Sequence, residues 1–334
     1  MKNLPALMVL GFRNLKISIL SLFNILDCNP YRLMVKINNR CNYRCKTCGI
    51  WNEDQKTTLS KNKVEKIAEK YKGKIYFLSI TGGEPFLEEE RLLDLINEIK
   101  KKNKLLKRIS INTNCSRPNS VKRVVNQALT TFPDLKIDIG LHYIPNKKWG
   151  AEKTGVEKAR QNYEKLKSIL QKIEKNSKKR LSFYEMITVS KKRDFEKISG
   201  GDSDLWLNFA VKNEFYNNEN DDYIETIKAQ EKIEIINNFT GENKSNISFL
   251  NKLYLKNLKK VIKRKRKRRC FAGINRIFVD EKGEEFICSR GLKSRKEMSS
   301  SRCEACWTAC ESNFDLLPYF FLNPINNKHV KDYE

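Results

Sequence analysis

The stretch that decides the fold is NRCNYRCKTCGIW, residues 39–51, in which Cys41, Cys45 and Cys48 form a C-x3-C-x2-C run. It directly follows an apolar, strand-like segment, Tyr31 to Ile37. Three thiolates within eight residues of one loop can face a common point. Three protein ligands leave one position of a tetrahedral metal centre open, which is typical of a reactive site rather than a structural one. The alternative is one half of a zinc knuckle.

A second motif, SITGGEPF at residues 79–86, follows the next apolar segment at once. Gly82 and Gly83 carry no Cβ atom, so a ligand can approach their backbone closely. Glu84 offers a carboxylate that can accept hydrogen bonds from an ammonium group. Taken alone, the motif also fits a Gly-Gly turn followed by a helix start at Glu-Pro. Its position one strand–helix unit after the three cysteines favours a shared site.

Apolar strand patterns alternate with charged helical patterns from residue 31 to residue 211, which predicts βαβ units and a parallel sheet. Six units predict an α/β fold, a partial (β/α)6 TIM-like barrel with its chemistry at the carboxyl ends of the strands. The predicted strands are Leu33–Ile37, Ile75–Ile80, Ile109–Asn112, Ile137–Leu141, Leu181–Val189 and Leu205–Val211. The predicted helices are Lys61–Tyr71, Glu88–Lys101, Ser120–Thr130, Val156–Lys175 and Arg193–Ile198.

Together, the two motifs resemble those of the radical SAM (AdoMet radical) enzymes. The resemblance implies a [4Fe-4S] cluster whose open iron binds S-adenosylmethionine (AdoMet). The cluster ligands that it implies are Cys41, Cys45 and Cys48. The AdoMet contacts that it implies are Gly82, Gly83, Glu84 and Asn114. Two positions depart from the family pattern, because Cys115 replaces a Gly after Thr113-Asn114 and Thr47 replaces an aromatic residue before the third cysteine.

The function implied by this resemblance is reductive cleavage of AdoMet to methionine and a 5′-deoxyadenosyl radical, which takes hydrogen from a substrate. The leading substrate class is a peptide or protein side chain, and the implied electron donor is a low-potential protein such as ferredoxin or flavodoxin. One alternative is radical modification of RNA or a nucleotide-like substrate, because the chain is basic. The other is a zinc-stabilised nucleic-acid-binding protein, which accounts for the cysteines and the charge but not for the Gly-Gly-Glu motif.

Further site candidates lie on the later strands. The resemblance places the end of the fourth strand near substrate, which makes Asp138, His142 and Tyr143 candidates. Glu185 is an acid within an apolar strand, so it needs a partner or a polar cavity. For two other side chains the bland interpretation is favoured: Cys115 as a buried inert thiol, and Trp51 as a core residue rather than a cover for adenine.

Five more cysteines lie near the C-terminus, one before a predicted hairpin, one at its end and three beyond it. This region resembles the SPASM/Twitch domains of many radical SAM enzymes, because Cys270, Gly283 and Cys288 fit the spacing of their opening. The resemblance implies one auxiliary [4Fe-4S] cluster, and a structural zinc ribbon is the alternative. Its candidate ligands are Cys270, Cys288, Cys303, Cys306 and Cys310.

Composition limits the remaining choices. The 334 residues carry a net charge of +26, and residues 256–269 contribute ten basic side chains without an acid. Nucleic acid, an acidic peptide or an anionic membrane surface are compatible partners, while a solvated strip is the default interpretation of the basic run. The clustered cysteines indicate metal binding in a reducing, cytoplasmic setting. With only two histidines, the sequence argues against a His-rich zinc hydrolase.

Four segments are predicted. Residues 1–28 form an apolar helical extension, either packed on the protein body or lying on a membrane surface. Residues 29–212 form the partial barrel, and residues 213–262 form a helical connector with helices at Asp222–Asn237 and Leu250–Lys260. Residues 263–334 form a small cysteine-rich hairpin domain with strands Arg276–Asp280 and Glu285–Cys288.

Overall fold

A computed structural model of the chain describes the strand–helix alternation from its first strand onward. The described residues are 11–13, 15–16, 30–45, 47–142, 155–190, 204–210, 212, 217–218, 227–242, 247, 249–263, 272–288 and 291–293. The strands are β1 (Arg32–Lys36), β2 (Phe77–Thr81), β3 (Arg108–Thr113), β4 (Lys136–His142), β5 (Leu181–Val189), β6 (Asp204–Phe209), β7 (Arg276–Val279) and β8 (Glu285–Phe286). The helices are α1 (Lys61–Lys70), α2 (Glu89–Lys102), α3 (Pro118–Thr131), α4 (Val156–Asn176), α5 (Ala229–Glu242) and α6 (Phe249–Ile262).

The sheet follows the predicted topology. Strands β1 to β6 lie side by side in chain order and every neighbouring pair is parallel. The predicted α/β fold with a parallel sheet is therefore confirmed. The observed ends of these strands lie within two residues of the predicted ones. The predicted helix Arg193–Ile198 lies outside the described residues.

Alternation along each strand divides the sheet into an apolar face and a polar face. Apolar residues such as Leu33, Val35, Leu78 and Ile80 point to one side, where they are buried with residues of α1 to α4 in one core. The intervening positions, such as Lys36 and Ser79, point to the opposite, concave side. Because parallel sheets of this kind are covered by helices on one face, the polar face is the one left to build a site.

The region predicted as a connector covers the last strands. Helix α6 matches its predicted bounds within two residues, whereas α5 begins seven residues later than predicted. Both helices pack on β5 and β6 around a second apolar cluster that includes Leu207 and Phe239. The side-chain amide of Asn251 also donates to the carbonyl of Leu205 in edge strand β6. These helices therefore complete the outer layer of the sheet. Covering the edge strand also protects its backbone groups, which would otherwise be unpaired.

The predicted C-terminal hairpin is present, and it extends the same sheet. Strand β8 pairs with β7 in antiparallel fashion, and β7 pairs with β1 in parallel, so the hairpin lies beyond β1. Its turn is closed by Asp280, whose side chain accepts from the backbone N–H groups of Lys282 and Glu284 at 2.9 and 2.7 Å. Gly283 adopts a φ of +78°, which favours glycine. The boundary at residue 263 stays a prediction.

Little of the predicted N-terminal extension is described. Residues 11–13 and 15–16 are helical, and the guanidinium of Arg13 donates to the carbonyl of Lys74. This contact places the segment against the loop between α1 and β2. In the part of the chain that the structure describes, none of the helices has the length and apolarity that crossing a membrane requires.

Candidate active site at the carboxyl ends of the strands

Three segments meet where β1, β2 and β3 end. Residues 37–48 follow β1, Gly82-Gly83-Glu84 follow β2, and Asn114 follows β3. Since the strands are parallel neighbours, their carboxyl ends lie at one edge of the sheet. The sequence-predicted motifs of the first half are thereby brought together.

The two glycines let the first two segments touch. A Cβ atom on Gly83 would lie 2.1 Å from the carbonyl oxygen of Arg40, and one on Gly82 would lie 2.8 Å from Oδ1 of Asn38. Glu84 N donates to the carbonyl of Arg40 at 2.7 Å. The atoms that approach the two glycines closely belong to the chain itself rather than to a ligand. These glycines therefore let the loop that carries the cysteines pack against the end of β2.

Asn38 ties the same two segments together, and the sequence interpretation missed it. Its Oδ1 accepts from Gly83 N at 3.0 Å, and its Nδ2 donates to the carbonyl of Glu84 at 3.1 Å. The side chain is fully buried. A buried amide must satisfy both its donor and its acceptor. The only signal in the sequence is an asparagine directly after an apolar strand.

Glu84 is buried, and its carboxylate is engaged within the chain. It accepts from Thr113 Oγ1 at 2.9 Å, from Phe86 N at 3.2 Å and from Asn114 N at 2.6 Å. Burial raises the pKa of Glu84 to about 7, and these hydrogen bonds oppose that rise. The carboxylate therefore joins the end of β2 to the end of β3. Its predicted contact with an ammonium group stays a prediction.

The three cysteines lie half-buried on their loop and are free thiols. Burial raises the pKa of Cys41 to about 11 and that of Cys48 to about 12, and it raises the pKa of Cys45 further. Charge on neighbouring cysteines of the trio adds to the rise in pKa for Cys45 and Cys48. Such thiols become thiolates only when a strong positive charge is bound, as a metal centre supplies.

The trio fits an iron–sulfur cubane by its donor chemistry. Thiolates are the ligands of such clusters, and three of them leave one iron open. Within the described residues, no group of three or more His, Cys, Asp or Glu side chains is arranged to hold a single metal ion. A cubane does not require that arrangement, because each of its thiolate ligands binds a different iron.

Trp51 and Asn39 hold the two ends of the cysteine loop. The indole N–H of Trp51 donates to the carbonyl of Cys45 at 3.2 Å, and the guanidinium of Arg44 lies 4.7 Å from the centroid of its ring. Asn39 accepts from Thr57 N at 2.6 Å and donates to Gln55 O at 2.7 Å. Trp51 is half-buried against its own loop, so its prediction as a core residue is not confirmed.

A buried ion pair connects the C-terminal hairpin to this region. Lys36 of β1 is 4% exposed, and its Nζ lies 3.1 Å from Oε2 of Glu281 and 3.5 Å from Oε1 of Glu53. Its positive charge also lowers the pKa of Cys48, although burial outweighs that effect. No motif marks Lys36 in the sequence, and the available signal is that a lysine inside an apolar strand needs partners of this kind.

The site candidates predicted at the end of the fourth strand differ in where the structure places them. Asp138 faces the concave side, where it accepts from Arg108 Nη2 at 2.9 Å and from Ser182, so its carboxylate is already paired. His142 ends β4 at the same edge as the cysteines, and burial lowers its pKa. Tyr143 lies outside the described residues. His142 is the member of this group that the fold brings towards the site.

Glu185 lies on the opposite, helix-covered side of the sheet from Tyr184. It forms an ion pair with Lys167 of α4 at 2.9 Å. Of the two possibilities, a partner or a polar cavity, the structure shows a partner, and it comes from a helix. Cys115 is 1% exposed with a φ of +65°, and burial raises its pKa well above the usual value. It is a buried thiol, as predicted.

Aromatic side chains line the concave face of the later strands. The ring of Tyr184 lies over Gly140, whose added Cβ atom would meet that ring at 3.0 Å. The hydroxyl of Tyr184 lies 3.3 Å from Ser110 Oγ, and the ring centroid lies 5.6 Å from that of Trp206. Burial raises the pKa of Tyr184 to about 12, so the phenol is neutral.

The predicted auxiliary site is described at one position. Cys288 follows β8 and is buried beside Ala272, Ile287 and Leu292. The other four candidate ligands, Cys270, Cys303, Cys306 and Cys310, lie outside the described residues.

Comparison with known proteins agrees with this geometry. Residues 35–199 match the family model described as Radical SAM superfamily. No curated protein sequence matches the chain. The matched segment contains the cysteine loop, the Gly-Gly-Glu motif and Asn114.

Solved structures resemble the chain in fold. One is native anSMEcpe with bound AdoMet and Cp18Cys peptide, at a TM-score of 0.51 and 16% identity, covering 78% of this chain and 74% of the other. Another is Streptococcus suis SuiB bound to S-adenosylmethionine, at a TM-score of 0.50 and 14% identity, covering 93% of this chain and 69% of the other. The family match covers the site described above, and the chain is accordingly an iron–sulfur enzyme with a radical SAM domain, a type that implies a [4Fe-4S] cluster and AdoMet.

Proposed function

We propose that this radical SAM enzyme uses Cys41, Cys45 and Cys48 as the three ligands of its AdoMet-binding [4Fe-4S] cluster. The observation that carries the proposal is the convergence of three free thiols with the Gly82-Gly83 segment and Asn114 at one edge of the sheet. When bound, the cluster would supply one electron for cleavage of AdoMet to methionine and a 5′-deoxyadenosyl radical.

The residues around this edge have positioning roles in the proposal. Asn38 and Glu84 fix the ends of β1, β2 and β3 against one another. Such fixing keeps the cluster loop and the cofactor-binding backbone in one geometry, which is what hydrogen transfer between closely placed atoms requires. AdoMet is proposed to lie against Gly82, Gly83, Glu84 and Asn114.

We also propose a peptide or protein side chain as the substrate. The support is the fold shared with anSMEcpe, whose solved structure holds a Cp18Cys peptide together with AdoMet. The aromatic surface formed by Tyr184 and Trp206 offers apolar contacts of the kind that line ligand sites. His142 lies at the same edge as the cysteines and borders this surface in register with Met186. Substrate is proposed to lie on this side of the concave face.

An auxiliary [4Fe-4S] cluster in the C-terminal region remains part of the proposal. Its candidate ligands are Cys270, Cys288, Cys303, Cys306 and Cys310. The support is their spacing and the burial of Cys288 beside the hairpin. A low-potential donor such as ferredoxin or flavodoxin is the proposed source of electrons.

The experiment is reconstitution of the full chain without oxygen, followed by iron and sulfide analysis and detection of 5′-deoxyadenosine after reduction with AdoMet. Cys45→Ala is expected to abolish AdoMet cleavage and to remove about four irons, the content of one cubane. Cys115→Ala removes a thiol from the same region outside the trio, and it should retain both iron and cleavage. Unchanged cleavage in Cys45→Ala would contradict the proposed ligand set.

A further inference from the structure

Asn114 contacts a sulfur of the proposed cluster loop. Its Nδ2 lies 3.6 Å from Sγ of Cys41, within hydrogen-bonding reach of a sulfur acceptor, and 3.1 Å from Oδ1 of Asn42. The cofactor contact expected from the sequence was with AdoMet. The described geometry adds a second contact, because it directs the side-chain amide of Asn114 to a proposed cluster ligand.

The orientation of this amide is fixed by its surroundings. Ser116 N, which can only donate, lies 2.9 Å from Oδ1 of Asn114. The oxygen must therefore face Ser116, and the NH2 group must face Cys41 and Asn42. The backbone is held as well, because Asn114 N donates to Glu84 Oε2 at 2.6 Å.

The backbone at residue 115 supports this turn, although the chain carries a Cys where the family pattern has a Gly. Cys115 has a φ of +65°, so the chain reverses directly after Asn114 and brings Ser116 N back to the asparagine side chain. Cys115 N donates to Thr113 Oγ1 at 3.1 Å, and Ser116 Oγ donates to Asn42 Oδ1 at 3.1 Å. Asn114 is thus held at its backbone and at both ends of its amide.

The three sulfurs are not equivalent in their donors. Sγ of Cys41 accepts from Tyr43 N at 3.4 Å in addition to Asn114. The thiol of Cys48 is contacted by one backbone group, that of Ile50. Over the described ranges, Asn114 supplies the only side-chain hydrogen bond to any of the three sulfurs.

We propose that Asn114 is a positioning residue that raises the reduction potential of the AdoMet-binding cluster through its hydrogen bond to Cys41. The inference rests on the proposed function, because it requires that Cys41 bind the cluster. A donor to a ligating sulfur stabilises negative charge on it, and the reduced cluster carries one more negative charge than the oxidised cluster. Removing the donor therefore favours the oxidised cluster.

The test is a redox titration of the anaerobically reconstituted full chain, monitored by electron paramagnetic resonance. The relevant cluster signal is the one that disappears in Cys45→Ala. Asn114→Asp is nearly isosteric and keeps the acceptor for Ser116, but it loses both N–H groups. Asn114→Ala removes the whole amide. Asn162→Ala is the matched control, because its Nδ2 donates to Ser116 O at 3.4 Å and its contact is with the same turn rather than with a sulfur.

Both variants at residue 114 should lower the ratio of reduced to oxidised cluster at fixed potential by about tenfold, or about 59 mV for a one-electron couple. Asn114→Asp should show the larger shift, because it places a carboxylate beside the sulfur. The Asn162→Ala control should leave the potential unchanged. An Asn114→Asp protein that keeps its cluster iron and shows an unchanged reduction potential would overturn the inference while leaving the proposed function intact.

Two other outcomes are distinguishable. Loss of iron in both variants at residue 114, with iron retained in Asn162→Ala, would overturn the tuning role and assign Asn114 to cluster assembly. Cluster signals that all persist in both Cys41→Ala and Cys45→Ala would overturn both the inference and the proposed function.

Discussion

The carboxyl ends of β1, β2 and β3 differ from those of β4, β5 and β6 in how they are held. In the first group, backbone and buried amide or carboxylate groups link successive segments, as Asn38 and Glu84 do. In the second group, the concave face carries larger side chains, including Tyr184 and Trp206, which meet through ring contacts. Hydrogen bonds of fixed direction define one geometry, whereas ring contacts tolerate small shifts.

This difference suits two tasks on one sheet. A cofactor that is the same in every turnover needs a preorganised site, and buried polar networks specify a unique arrangement. A substrate surface needs shape and apolar area instead. We therefore expect changes near the first three strands to affect the cluster, and matched changes near the later strands to leave it intact.

The largest effect is expected from Gly83→Ala. The new methyl group would overlap the carbonyl oxygen of Arg40, a backbone atom, so the cysteine loop must move. We expect destabilisation by about 3 kcal/mol or more, and loss of the AdoMet-binding cluster. Denaturant unfolding and iron analysis check this result. Gly241→Ala is the control, because a Cβ atom there meets nothing within 4 Å and the residue is helical. A Gly83→Ala protein with normal iron content would contradict the account.

Glu84→Gln should change how stability depends on pH. Burial raises the pKa of Glu84 to about 7 in the folded chain, whereas an unfolded Glu has a pKa of about 4.3. At a pH between these two pKa values, Glu84 is protonated in the folded state and ionised in the unfolded state. The contribution of Glu84 to the free energy of unfolding therefore falls as pH rises through that window. The total fall is about 4 kcal/mol, and it should be missing in Glu84→Gln. Urea denaturation of the iron-free wild type and Glu84→Gln from pH 4.5 to 8 gives the free energy of unfolding of each protein as a function of pH. Parallel pH dependences would refute the raised pKa of Glu84.

Gly140→Ala is the counterpart of Gly83→Ala on the later strands. Its Cβ atom would meet Asn112 Oδ1 at 2.4 Å and the Tyr184 ring at 3.0 Å, both of which are ends of side chains that can rotate. We expect destabilisation by about 1 to 2 kcal/mol, with the cluster retained. Iron content and AdoMet cleavage without substrate should match those of the wild type. Loss of the cluster in this variant would contradict the proposal that the first three strands hold the cluster and the later strands do not.

The smallest effect is expected at the surface of the hairpin. Lys70 of α1 pairs with Glu285 of β8 at 2.6 Å, and its side chain is 59% exposed. Exposed pairs contribute about 0.2 to 1 kcal/mol, so a double-mutant cycle with Lys70→Met and Glu285→Gln should give a coupling in that range. Chemical denaturation of the four proteins supplies the numbers. A coupling above about 2 kcal/mol would mean that this contact, rather than the β1–β7 pairing, anchors the hairpin.

The order of strands and helices could be predicted from the sequence because apolar periodicity is a local property. Leu181–Val189, for example, was predicted with its observed bounds. The parallel pairing of β7 with β1 could not be predicted, because it joins segments that lie more than 200 residues apart. The side of the sheet to which Glu185 points could not be predicted either, because its strand has apolar residues on both faces and its partner Lys167 comes from a separate helix.

Within the site, residue types were predicted more reliably than their contacts. The cysteines, the glycines, Glu84 and Asn114 were all identified by motif. Lys36 and Asn38 were not, because their roles depend on Glu281 and Gly83, which are close only after folding. The glycines also serve packing between chain segments, a role that the motif alone does not reveal.

The central claim is that the cysteine loop after β1 holds the cluster that AdoMet binds. It is tested most directly by recording the electron paramagnetic resonance spectrum of the reduced, reconstituted full chain before and after adding AdoMet. The account predicts a cluster signal that changes shape on addition of AdoMet, and that is lost, together with 5′-deoxyadenosine formation, in a variant with Cys41, Cys45 and Cys48 replaced by alanine. An AdoMet-sensitive signal that survives in that variant would contradict the claim.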